Sequence, residues 1–171
     1  MAFRVFYFED DAEHANFFGK VLRAVWPTVV QKAARISLPA ELSLEVTRDA
    51  TAALDRLHAV ATDYDLFVVD LMDEVSPGKF ESVGTEMAKV VRDQGSRVPI
   101  LAISGAADTP EFAEEQSHFE NAARLVPLGP NGTGAVAFFA KRSIRMGEVK
   151  EDELAGAIVQ ILEDSRAVEI G

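Results

Sequence analysis

The sequence predicts an α/β fold: a doubly wound parallel sheet of five strands with helices on both faces. Three observations carry that expectation. Short apolar runs of strand composition alternate five times with segments of helical periodicity, as in a parallel sheet with crossover helices. Leu66 to Val69 typifies the strands, being continuously apolar with β-branched and aromatic residues, which suits burial on both faces. Four of the five runs stop at groups with chemical potential: Glu9-Asp10, Asp70, Ser104 and Lys141. The carboxyl ends of strands are where open α/β sheets hold ligands.

Val5 to Phe8 is the first buried strand and runs into Glu9-Asp10-Asp11. A helix follows, with Ala15, Phe18, Leu22 and Val25 on one stripe. Pro27 is expected to kink or stop it, because the ring clashes with the preceding turn, and Thr28 to Arg35 to form a second helical piece. Pro39 marks a break. Leu42, Leu44 and Val46 alternate with polar neighbours, a strand with one wetter face. Ala50 to Ala61 carries Ala53, Leu54, Leu57 and Val60 on one stripe and reads as a helix. After the strand from Leu66 to Asp70, the stretch from Asp73 to Glu81, with Pro77-Gly78, reads as a loop. Val83, Met87, Val90 and Val91 mark the next helix, with Gly95 as its C-terminal cap. Val98 to Ile103 is a strand. Thr109 can cap a helix with Pro110 at its first position, ending near Arg124. Leu125 to Gly134 is a long loop rich in Pro and Gly, and Ala135 to Ala140 the last strand. Glu151 to Glu163 is the final helix, with Leu154, Ile158, Ile161 and Leu162 on one face. The expectation is a single domain over residues 1–171 with no attached effector domain.

A formal net charge of -11 argues against nucleic-acid binding, which needs a basic face. The absence of cysteine excludes a disulfide framework and thiolate metal sites. No apolar run is long enough to span a bilayer, so no membrane insertion is expected. Met1-Ala2-Phe3-Arg4 leads straight into a strand, unlike a signal peptide, so a cytoplasmic location is expected. His14, His58 and His118 show no ligand spacing and read as surface or packing residues. Gly129 to Gly134 mimics a nucleotide-binding loop but leads into Ala135 and Val136, where that motif needs Lys and Ser or Thr. It reads as a plain loop.

In a doubly wound sheet the four polar strand ends share one rim. Clustered carboxylates repel unless a cation sits between them, and hard oxygen donors suit Mg2+. With that ion present an aspartate can attack phosphorus. A lysine ammonium and a serine hydroxyl can then hold phosphoryl oxygens as charge builds.

On these residues the chain resembles a response-regulator receiver domain of the chemotaxis (CheY-like) type. The resemblance rests on Val5-Phe6-Tyr7-Phe8-Glu9-Asp10-Asp11, Asp65-Leu66-Phe67-Val68-Val69-Asp70, Pro99-Ile100-Leu101-Ala102-Ile103-Ser104-Gly105 and Ala137-Phe138-Phe139-Ala140-Lys141. It implies the flavodoxin-like strand order 2-1-3-4-5 and a stand-alone receiver. It implies Asp70 as phosphoacceptor, with Mg2+ on Asp10, Glu9 beside it, Asp70 itself and the backbone carbonyl of Met72. Ser104 and Lys141 would hold the phosphoryl group, and Ser104 and Phe138 would move as the switch. The implied partners are a sensor histidine kinase or histidine phosphotransfer protein as donor, and a downstream protein target. The chain would be no enzyme beyond its own phosphorylation and dephosphorylation.

Three departures stand out. Arg142 and Glu74 occupy places where the family usually has proline. The chain is also longer than usual around residues 27–40 and 125–134. The first insert, with Trp26, Val29 and Val30, is a candidate homodimer surface. Two other readings compete. One is a pseudo-receiver, a docking module that never takes phosphate, favoured by Arg142 and the inserts. The other is a phosphohydrolase of haloacid-dehalogenase type, which needs an aspartate two residues after the nucleophile, where this chain has Met72. Taken singly, Asp11, Asp73 and Glu74 read as solvated loop acids, and Phe138 and Phe139 as packing residues.

Overall fold

The apolar runs build the expected sheet. The computed structural model describes residues 1–60, 63–71, 73–76, 79–105, 110–126, 128 and 132–170. In chain order the elements are β1 (Phe3–Phe8), α1 (Ala12–Lys32), β2 (Leu42–Thr47), α2 (Ala50–Val60) and β3 (Leu66–Asp70). A hairpin of β4 (Asp73–Ser76) and β5 (Lys79–Glu81) follows, then α3 (Val83–Asp93), β6 (Ile100–Ser104) and α4 (Pro110–Ala123). The chain closes with β7 (Val136–Ala140), α5 (Lys141–Arg145) and α6 (Glu151–Ile170). The main sheet is parallel throughout in the order β2-β1-β3-β6-β7, which is the predicted 2-1-3-4-5.

Side chains alternate across this sheet, so each strand feeds two cores. Phe3, Val5 and Tyr7 of β1 face one way with Leu66, Val68, Leu101 and Ile103, and meet α1 and α6. Phe6 and Phe8 face the other way with Phe67, Val69, Ile100 and Ala102, and meet α2, α3 and α4. Burial on both faces is why these runs carry no alternation in the sequence.

Three expectations are corrected. Pro27 neither ends α1 nor splits it, and the helix continues to Lys32. Trp26 and Val29 lie in the core, with the Trp26 ring 4.5 Å from Phe3 and its Nε1 donating to the Pro39 carbonyl at 3.1 Å. Burying each contributes about 1.5–3 kcal/mol, which offsets the roughly 3 kcal/mol cost of a proline inside a helix. The same burial removes Trp26 and Val29 from any dimer surface, and Val30 packs partly against the same core. Residues 73–81, read as a loop, hold the β4–β5 hairpin. The chain after Lys141 turns at once into α5, which the sequence reading did not foresee. The Thr109 cap and residues 129–131 lie outside the described residues.

Two glycines shape the frame. Gly95 closes α3 at φ +74°, with its N–H on the Arg92 carbonyl and that of Ser96 on Val91. Gly84 lets α3 press onto the end of β3, where a Cβ would lie 2.8 Å from the Asp70 carbonyl oxygen.

Candidate functional site

The switch point of this sheet lies between β1 and β3, whose connections leave in opposite directions. Glu9 and Asp10 follow β1 and Asp70 ends β3, so the carboxylates flank that crevice. Backbone bonds fix both strand ends. The Glu9 N–H donates to the Thr47 carbonyl, that of Leu71 to Ile103, and that of Gly84 to Leu71. Asp11 caps α1 through the His14 N–H at 2.9 Å, which turns the chain away from the rim.

Glu9, Asp70 and Ser104 are buried. Lys141 reaches in from the start of α5. Its Nζ lies 2.6 Å from Glu9 Oε2 and 3.0 Å from Asp70 Oδ2. The Tyr7 hydroxyl donates to Glu9 Oε2 at 3.3 Å, and the Asp11 N–H to Glu9 Oε1 at 3.3 Å. Carboxylate oxygens of Glu9, Asp10 and Asp70 all lie within 4.8 Å of one another. Ser104 is the last residue of β6, one step beyond the Asp70–Ile103 register pair, and its own pair is Ala140, next to Lys141. The four predicted strand ends therefore do share one rim.

Burial dominates the electrostatics. It raises the Glu9 carboxyl above its ordinary range, against the pull of Lys141. It pushes Asp70 up to about 8, with Lys141 opposing and Glu9 adding to the rise. Burial works against the Lys141 ammonium too, but Asp70 and Glu9 hold it above the usual lysine value. Burial and then Glu9 raise the Tyr7 phenol, so it remains a donor. Three carboxyls thus cluster, two of them on one ammonium. Such a set of hard oxygen donors fits a divalent cation of the Mg2+ kind.

Phe138 of β7 pairs with Ala102 of β6 and sits half-buried against the α2–α3–α4 core, while Phe139 packs on the opposite face. Met72 lies outside the described residues. Of the three histidines read as scattered, His14 comes to the rim, its Nδ1 3.4 Å from Lys141 Nζ. Its place one turn into the helix that follows Glu9-Asp10-Asp11 was the available signal.

Comparison of sequences finds no matching family model and no matching curated protein. Solved structures do match. A response-regulator receiver domain protein from Clostridium thermocellum superposes with a TM-score of 0.60 at 9% identity, over 98% of this chain and 99% of its own. The signal receiver domain of an HD domain-containing protein from Pseudomonas fluorescens Pf-5 gives 0.59 at 16% identity, over 97% and 98%. The receiver domain of the histidine kinase CKI1 from Arabidopsis thaliana, complexed with Mg2+ and BeF3−, gives 0.54 at 19% identity, over 92% and 88%. The chain has the fold of the response-regulator receiver domains. Among the described residues, no helix is long and apolar enough to cross a membrane.

Proposed function

We propose that the chain is a cytoplasmic signalling receiver that accepts a phosphoryl group on Asp70. The observation that carries this reading is the convergence of Glu9, Asp10 and Asp70 with Lys141 Nζ bridging two of them. The donor is a phosphohistidine on a sensor histidine kinase or phosphotransfer protein. An Asp70 carboxylate oxygen attacks phosphorus, the P–N bond breaks as the new O–P bond forms, and the imidazole leaves with its electron pair. Glu9, Asp10 and Asp70 would hold Mg2+, which when bound neutralises charge on the phosphoryl oxygens. The Mg2+ and BeF3− complex of the Arabidopsis domain supports this ligand class.

Lys141 Nζ, 3.0 Å from Asp70 Oδ2, would turn to a phosphoryl oxygen, and the Ser104 hydroxyl would donate to another. That local charge change biases a packing element. Phe138, half-buried in the strand that leads into Lys141, would repack, and the altered face would recruit the downstream protein. The chemistry stops at self-phosphorylation and its reversal. Intact mass after incubation with Mg2+ and acetyl phosphate tests the reading. One phosphoryl adduct is expected on wild type and none on Asp70→Asn; an unmodified wild type, with a cognate kinase also failing to label it, would overturn it. One observation favours the pseudo-receiver instead: β7 passes directly into α5 at Lys141, with Arg142 as the second helical residue.

A further inference from the structure

A cavity of about 220 Å3 opens beside this rim, between α1, the ends of β1 and β6, and α5. Phe17, Phe18, Ile103 and Ile144 make its wall apolar. The ionisable side chains at its edge are Lys141, Arg142, Arg145, His14 and the Tyr7 phenol, with no carboxylate among them. Behind that edge Glu9 and Asp70 engage Lys141 at 2.6 and 3.0 Å, Glu9 accepts from the Tyr7 hydroxyl, and Asp11 lies 3.9 Å from His14 Nδ1. With Lys141 engaged in that way, Arg142 and Arg145 make the edge of the cavity locally basic in a chain of formal net charge -11.

Size and charge together define an occupant. An engineered apolar cavity of about 150 Å3 binds benzene, so this one has room for a ring bearing a short substituent. The Arg145 guanidinium lies over the Phe17 ring, 5.5 Å from its centroid. Among the described residues it makes no salt bridge, whereas Lys141 is engaged by Glu9 and Asp70. A guanidinium stacked on an aromatic ring keeps its donor fork in one plane, which matches a carboxylate at two points.

We propose that this cavity binds a small aromatic carboxylate, its ring against Phe17, Phe18 and Ile144 and its anion on Arg145. The ligand would also touch Lys141, so occupancy bears directly on the side chain that bridges Glu9 and Asp70. Neither the apolar wall nor Arg145 takes part in the phosphotransfer proposed above, so binding is testable without it.

The test is an amide NMR titration of the full chain with phenylacetate, without Mg2+ or phosphodonor, beside its neutral analogue 2-phenylethanol. Saturable shifts are expected at Phe17, Phe18 and Ile144, with a Kd of about 1 mM or tighter. The alcohol should bind about tenfold more weakly, and Arg145→Gln should weaken phenylacetate by about the same factor. Met146→Glu puts an anion on an exposed residue of the lining and should also weaken it, without disturbing the core. Absence of saturable shifts at the three residues would overturn the proposal. So would equal affinity for acid and alcohol, or affinity unchanged in both variants.

Discussion

At the amino ends of β6 and β7 largely buried charge is met by backbone groups and a hydroxyl; at the carboxyl ends of β1 and β3 it is met by other charges. Arg92, at the end of α3, donates Nε to the Ala123 carbonyl at 2.6 Å and Nη1 to those of Ser96 and Val98 at 2.9 and 2.8 Å. Asp164 of α6 is buried, accepts from the Thr133 hydroxyl and from the Ala135 N–H, and so fixes the turn into β7. These groups tie elements together, and the backbone partners cannot leave. At the opposite rim Glu9, Asp70 and Lys141 lean on one another. Charges satisfied by side chains can exchange partners when a ligand arrives, at a cost set by the burial that already raises Glu9 and Asp70. The lesson is that burial alone does not separate a structural charge from a reactive one; the identity of its partner does.

Lys141→Met should separate the two ends most strongly. It leaves two buried carboxylates without their cation and should cost about 3 kcal/mol at pH 8 by denaturant unfolding. The loss should shrink as pH falls, because burial raises both carboxyls and so favours their neutral forms, and saturating Mg2+ should recover part of it. A loss that ignores both pH and Mg2+ would make Lys141 a packing residue.

Arg92→Met should cost about 2 kcal/mol, because three carbonyls lose a donor. Here neither Mg2+ nor the pH change should restore stability. Recovery by Mg2+ would show that the two ends are not distinct.

Asp70→Asn should act in the other direction. With a folded value near 8, Asp70 keeps its proton between about pH 4 and 8 while the unfolded chain has lost it. Stability from this group therefore falls as pH rises through that window. The variant should exceed wild type at pH 8 without Mg2+, by a margin that narrows as pH falls towards 5. Equal stability of the two at pH 8 would mean that Lys141 fully offsets the burial.

Much of this was legible in the sequence, for physical reasons. β1, β3 and β6 are buried on both faces, so their apolar runs and abrupt polar ends survive any local ambiguity. The convergence of Glu9, Asp10, Asp70, Ser104 and Lys141 then followed from topology alone, since parallel strands put their carboxyl ends on one rim. What was missed depends on tertiary partners. The Pro27 reading weighed a local clash without the Trp26 and Val29 burial that overrides it. The β4–β5 hairpin was hidden because Pro77-Gly78 signals a turn equally in a loop and between two strands. His14 lies one helical turn beyond the acidic stretch, yet only the position of Lys141 at the start of α5 brings the two together. Asp164 lies beyond the expected end of the last helix, and its partners Thr133 and Ala135 are distant in sequence.

The phosphoryl chemistry proposed for the rim is carried by one group, the Asp70 carboxylate. Borohydride reduction after incubation with Mg2+ and acetyl phosphate converts an aspartyl phosphate to homoserine, which peptide mass mapping locates. Homoserine is expected at position 70 and at no other aspartate. Homoserine at Asp10 or Asp11, or unreduced aspartate throughout, would contradict it.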